Sequence, residues 1–264
     1  MNRKPIIGIV GKVEPPIDLD LWNRITLADE FRYLVVKHGA IAMMLLPTEA
    51  TMEFNQDDIK DNKELTEEEK EGLYTQMEFC DGYILQGGLC SCNYEIEIAK
   101  KAIELDKPVI GICAGFNNIL RALGTDVILD ETKSHDIYDI NYRHKVNIDK
   151  DTMLYSLIGK EQIDVNSIHS MIAPKHLVDT FATISSFSED GLVESFEVKN
   201  KKFVMGIKWH PELLLQDNYV DNIFEKFDFF FSYVSIVTLS FPIISIIFIN
   251  NALSLSILVF FINS

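Results

Sequence analysis

Short apolar runs alternate with amphipathic stretches along most of this chain. Residues 6–10 form an apolar run broken only by a glycine, the pattern of a buried strand. Leu27, Ala28, Phe31, Leu34 and Val35 then recur at helical spacing, and 41–46 predicts a second strand closed by Pro47. The pattern next predicts a helix over 67–79, a strand over 83–85 and a helix over 94–105. Residues 109–112 read as another buried strand that runs at once into an amphipathic helix. Further short strands are expected at 145–148, 181–185, 193–198 and 203–207. Such alternation predicts an α/β fold with a mainly parallel sheet covered by helices on both faces. Ligands on such sheets bind beyond the carboxyl ends of the strands, so the residues that follow the strands are the ones to inspect.

Two of those ends carry chemistry. The first, Gly111-Ile112-Cys113-Ala114-Gly115, puts a cysteine on a tight strand-to-helix turn, with its sulfur exposed beside the amides of a helix N-terminus. That positive helix end favours thiolate and can lower a thiol pKa from about 8.5 to roughly 3.5–7.5. The second, Trp209-His210-Pro211-Glu212, follows the 203–207 strand and presents a histidine and a carboxylate two residues apart, on one side of the chain. A nucleophilic cysteine needs a base to take and return its proton, and the base needs a third group to orient it. Taken singly, Cys113 is equally a buried core cysteine and His210–Glu212 a surface pair. Their joint presence selects a Cys113–His210–Glu212 triad.

At these residues the chain resembles the class I glutamine amidotransferase-like superfamily. The resemblance rests on Asp81-Gly82-Tyr83-Ile84-Leu85-Gln86-Gly87-Gly88, the cysteine turn, Val165-Asn166-Ser167-Ile168-His169 and the Trp-His-Pro-Glu block, and it covers roughly residues 4–231. The branch it is most similar to is the gamma-glutamyl-gamma-aminobutyrate hydrolases, whose members often open with a Lys-Pro-Ile-Ile-Gly-Ile-like strand. The resemblance implies the flavodoxin-like architecture of that superfamily. It implies Cys113 as nucleophile, His210 as general base and acid, and Glu212 as its orienting partner. The oxyanion would be held by backbone amides of Gly88 (or Gly87) and Ala114. The superfamily elbow usually reads Cys-Arg-Gly-x-Gln or Cys-Leu-Gly-x-Gln. Here Ala114 and Asn117 replace two of those positions, removing a side chain beside the site and shortening an amide, which bears on substrate identity. His169 falls on the first of two histidines that line the substrate side of the family's cleft, and Ser170 replaces the second. Read without the family, His169 is as readily a hydrogen-bonded structural residue.

The activity so implied is hydrolysis of a gamma-glutamyl amide through a cysteine thioester, with no metal and no organic cofactor. The alternatives are a glutaminase subunit feeding ammonia to a separate synthetase, and a non-catalytic binding module of the same fold. A formal net charge of −16 argues against nucleic-acid partners, because phosphate binding needs clustered Lys and Arg. The acidic run 57–71 reads as a solvated helix and loop. Four cysteines show no disulfide or zinc spacing, Cys90-x-Cys92 included, and read as reduced thiols of a cytoplasmic protein. A small gamma-glutamyl substrate is the expected partner, and homodimerisation is left open.

The end of the chain breaks the pattern. Residues 229–264 contain no charged side chain, and 230–249 approach the roughly 20 apolar residues of a membrane helix. We therefore divide the chain into a hydrolase domain, 1–231, and a charge-free hydrophobic tail, 232–264. Two readings of the tail stand side by side: a C-terminal membrane anchor, or out-of-frame translation. No N-terminal signal peptide is evident, so the domain is expected to face the cytoplasm under either reading.

Overall fold

A computed structural model describes residues 3–14, 22–52, 63–89, 91–139, 141–229, 245–251 and 254–260. Its centre is a nine-stranded sheet. In chain order the strands are β1 (Ile6–Val10), β2 (Ile41–Leu45), β3 (Gly82–Leu85), β4 (Val109–Ile112), β5 (His144–Ile148), β6 (Gln162–Val165), β7 (Ala182–Ser188), β8 (Val193–Val198) and β9 (Val204–Ile207). Their order across the sheet is β2-β1-β3-β4-β9-β8-β7-β5-β6. The first five in that order pair in parallel, as the alternating pattern predicts. The remaining ladders are antiparallel. Two of them follow from the short β7–β8 and β8–β9 connections, which are too brief for the crossover a parallel pair requires.

Seven helices accompany the sheet among the described residues: α1 (Asp29–Lys37), α2 (Glu67–Glu78), α3 (Asn93–Glu104), α4 (Ala114–Ala122), α5 (Met153–Ile158), α6 (Lys175–Phe181) and α7 (Asn218–Phe229). Alternation along the central strands sends side chains to two separate cores. In β3, Tyr83 and Leu85 join the core with Leu73 of α2, Ile98 of α3, Phe116 of α4 and Val178 of α6. Ile84 joins the opposite core with Phe31 of α1, Leu154 of α5 and Ile223 of α7. Central strands buried on both faces read as continuous apolar runs, which is why they were legible. Within the acidic run, α2 begins at a capping box in which Thr66 accepts from the Glu69 amide and the Glu69 carboxylate accepts from that of Thr66. Residues 57–62 of that run lie outside the described residues.

In the tail, Ser245–Asn251 and Ser254–Phe260 form an antiparallel pair. Residues 245–249, expected at the end of an apolar helix, are therefore strand, in keeping with a β-branched and aromatic composition that favours extended chain. No helix among the described residues is long and apolar enough to cross a membrane. Residues 230–244, which the anchor reading needs, lie outside the described residues.

Candidate active site

The register of two neighbouring strands builds the site. β4 and β9 run in parallel with Ile112 opposite Ile207. The next residue of β4 is Cys113, whose amide donates to the Ile207 carbonyl at 2.9 Å. The chain then turns sharply into α4, with Cys113 at φ 53°, ψ −101°. A non-glycine residue there stores about 1–3 kcal/mol of strain, which the surrounding packing must hold. Part of that packing is Gly115, where an added Cβ would lie 2.0 Å from the Leu85 carbonyl oxygen. Only glycine lets the first turn of α4 sit this close to the end of β3.

β9 continues through Lys208 and Trp209 to His210. The His210 backbone is clamped by Asn166, whose Oδ1 accepts from the His210 amide at 2.8 Å while its Nδ2 donates to the His210 carbonyl at 2.8 Å. His210 Nδ1 lies 2.6 Å from Glu212 Oε1, in a short helical turn at Pro211–Leu213. That contact leaves Nε2 for the thiol. Gly87 covers both groups: a Cβ there would lie 2.5 Å from His210 Cε1 and 3.3 Å from Cys113 Cβ.

The thiol is less open than the sequence suggests. Cys113 is 9% exposed, because the loop after β6 folds over it and the Ile168 carbonyl lies 3.6 Å from its Sγ. Burial pushes the thiol pKa up, but the charge and hydrogen bond of His210 and the charge of Lys208 outweigh burial and hold it below its ordinary value. Burial likewise opposes charge on His210. The Glu212 carboxylate and the Cys113 thiolate overcome it and hold the imidazole well above its ordinary pKa. Both shifts favour proton transfer from the thiol to the imidazole, and the pair titrates as a unit.

The other residues singled out from the sequence occupy three places. Ala114 opens α4, where helix amides have no partner within the helix and can serve an oxyanion. Gly88 has φ +152° and abuts Lys12, whose buried Nζ is 2.8 and 2.9 Å from the Glu95 carboxylate oxygens. Asn117 is buried, and its Oδ1 accepts from Lys208 Nζ at 2.6 Å. His169 turns its ring to Glu194, with Nε2 3.6 Å from Oε1. Cys113, His210, Glu212 and Gly87 are therefore brought together, while the side chains of Asn117 and His169 are engaged by buried charged groups.

Comparison with known proteins adds a family likeness. The Peptidase C26 family profile matches residues 92–212, a span that contains all three triad residues. Over this span the chain is similar to class I glutamine amidotransferase-like proteins. It is 32% identical over 157 residues to Protein NtpR of Enterococcus hirae, covering 56% of this chain and 64% of that one. It is 27% identical over 128 residues to the gamma-glutamyl-gamma-aminobutyrate hydrolase PuuD of Escherichia coli, covering 44% of this chain and 50% of that one. The chain thus spans less than two thirds of the length of these relatives. In fold it resembles the glutaminase domain of Trypanosoma brucei CTPS solved with bound acivicin, with a TM-score of 0.58 at 13% identity, over 85% of this chain and 94% of that one.

Against that superfamily frame, several residues escaped the sequence reading. Asn166 lay within a matched motif without a role, and the structure makes it the backbone clamp of His210. Gln86 anchors the Gly87-Gly88 turn: its Nε2 donates to Val10 and Thr26 carbonyls at 2.7 and 3.0 Å, and its Oε1 accepts from the Ala28 amide at 3.0 Å. Lys208 is 1% exposed, and burial pushes its pKa down to about 8 against the charges of Cys113 and Glu194. The signal for Lys208 was a lone cation between the apolar run of β9 and Trp209. Cys80 and Cys113 are free thiols. Cys90 lies outside the described residues.

Proposed function

We propose that this chain hydrolyses gamma-glutamyl amides in the cytoplasm through a thioester on Cys113, with gamma-glutamyl-gamma-aminobutyrate or a related gamma-glutamyl amine as substrate. The observation that carries this reading is the arrangement of Cys113 beside His210, with His210 oriented by Glu212 and both roofed by Gly87. The thiolate sulfur attacks the gamma-carbonyl, and the oxygen takes up the charge, held by the amides of Ala114 and the Gly87-Gly88 turn. Imidazolium at His210 then protonates the departing amine nitrogen as the C–N bond breaks, leaving the glutamyl thioester and a neutral imidazole. His210 next removes a proton from water, which attacks the thioester. Glutamate leaves, and thiolate and imidazolium are restored. These steps call for no metal or organic cofactor. The similarity to PuuD supports the choice of a gamma-glutamylated amine.

The test is glutamate release from a panel of glutamine, gamma-glutamyl-gamma-aminobutyrate and other gamma-glutamyl amines, with Cys113→Ala as control. Release that depends on Cys113 and favours a gamma-glutamyl amine over glutamine is expected. Preference for glutamine would replace this reading with a glutaminase that serves a separate synthetase. Silence on the whole panel would favour a binding module.

A further inference from the structure

Behind the loop that covers Cys113 lies a second cluster of chemically active side chains. Glu194 on β8 is completely buried, and neither of its carboxylate oxygens has a hydrogen-bond partner. Removing one charge from water without a partner costs several kcal/mol. Three imidazoles surround its Oε1: His135 Nδ1 at 3.5 Å, His169 Nε2 at 3.6 Å and His144 Nε2 at 3.9 Å. The nearest cation, Lys208, donates to Asn117 instead.

The outer contacts of the rings fix where their protons sit. His135 Nε2 is 3.1 Å from Asp190 Oδ2, and a carboxylate only accepts, so the proton is on Nε2 and a lone pair is on Nδ1. His169 Nδ1 is 3.3 Å from the Met171 carbonyl, which places its proton there and a lone pair on Nε2. Ser167 Oγ lies 3.0 Å from both His135 Nδ1 and the His135 carbonyl, and its single hydrogen can serve the carbonyl. His144 Nε2 and His169 Nε2 have no hydrogen-bond partner. The Nε2 atoms of His144 and His169 and the Nδ1 of His135 therefore turn toward a carboxylate oxygen that none of them hydrogen-bonds. The separations exceed the 2.7–3.2 Å or so of an N–H···O bond. They are close to the roughly 3.4 Å between neighbouring ligands of a tetrahedral ion bound at about 2.0–2.1 Å.

We infer that His135, His144 and Glu194 form a buried site for a divalent transition-metal ion, with His169 at its edge and zinc the best match to imidazoles and a carboxylate. Donor atoms of His135, His144 and Glu194 all lie within 4.8 Å of one another. The outer contacts are those that metal-bound histidines use: a carboxylate on one ring and a backbone carbonyl on another hold the rings and their tautomers. The ligands come from three separate segments, so an ion would staple β5, β8 and the loop carrying His135 together, with the loop carrying His169 beside them. Those two loops already touch, the His169 amide donating to the His135 carbonyl at 3.0 Å and the Ile137 amide to the Ser167 carbonyl at 3.1 Å. One of them carries Ile168, whose carbonyl faces the Cys113 sulfur. The ion would be structural, fixing the wall of the cleft from behind.

The test uses the full chain carrying Cys113→Ala, which removes the competing thiol–imidazole pair. Chelator-treated protein is titrated with Zn²⁺ alone and, separately, with Co²⁺ followed by visible absorption. The expected result is one Zn²⁺ per chain, a raised melting temperature, and a Co²⁺ spectrum of nitrogen and oxygen ligands. Affinity should fall at least tenfold in Glu194→Gln and in His144→Gln, whose ring is the more accessible, with circular dichroism checking that each remains folded. Absence of stoichiometric binding by the folded protein would overturn the inference. So would binding that both substitutions leave unchanged, or a Co²⁺ spectrum showing thiolate ligation by Cys80, Cys90 or Cys92.

Discussion

Cys113 occupies a place where burial disfavours charge, and neighbouring cations reverse that preference. The reversal has a sign that kinetics can read. A thiol held below its ordinary pKa keeps the thiolate until pH falls through that lowered value. An imidazole held above its own keeps the proton until pH rises through that raised value. The profile of kcat/KM should therefore be a plateau, its acid limb set by the thiol and its alkaline limb by the imidazole. Glu212→Gln removes the carboxylate that raises His210, so the alkaline limb should move to lower pH and kcat should fall about 10²- to 10⁴-fold. Lys208→Met removes a charge that stabilises the thiolate, so the acid limb should move up, as should the pH at which Cys113 is alkylated by iodoacetamide. An unmoved alkylation profile would remove Lys208 from the account. Cys113 and His210 were legible in the sequence because Cys113 directly follows an apolar strand and His210 comes three residues after one. Lys208 and Glu194 were not, since a charged residue beside apolar strand positions gives no sign of the partner that tolerates it.

At the scale of elements, two close approaches deliver the site. Gly87 brings the turn after β3 against both catalytic side chains, so Gly87→Ala should cost at least about a hundredfold in kcat/KM while leaving the circular dichroism spectrum unchanged. Gly115→Ala meets a backbone oxygen rather than a flexible side-chain tip, so it should destabilise the fold by about 3 kcal/mol or more in urea unfolding. Equal stability of the two variants would mean that α4 can shift on β3. The strands and helices that build this region were legible because strands buried on both faces and helices buried on one carry different periodicities. The antiparallel extension through β6, and the short helices α5 and α6, were less legible. Gln162–Val165 alternates exposed and buried positions over only four residues, too few to separate from a loop.

The whole molecule unites residues that the sequence keeps far apart. β4 and β9 are neighbours in the sheet, and no local pattern states this; the order of matched motifs did, through the resemblance they carry. The segments that supply His135, His144 and Glu194 match no motif of metal-ligand spacing, so only the fold could assemble them. The division at residue 231 also belongs to this scale. The last helix, α7, packs Val220, Ile223, Phe224 and Phe227 into the core shared with α1 and α5, which completes that face of the sheet. A chain truncated after Phe231 should therefore keep its melting temperature and its glutamate release. A loss of either would make the charge-free tail part of the folded enzyme.

The central claim is that Cys113 carries the glutamyl group. Acid-quenched protein, mixed with gamma-glutamyl-gamma-aminobutyrate and weighed intact by mass spectrometry, tests it directly. The account predicts a mass increase of one glutamyl group, mapped to Cys113, chased away as glutamate forms and absent from Cys113→Ala. Turnover of this substrate by Cys113→Ala, or an adduct on any other residue, would contradict it.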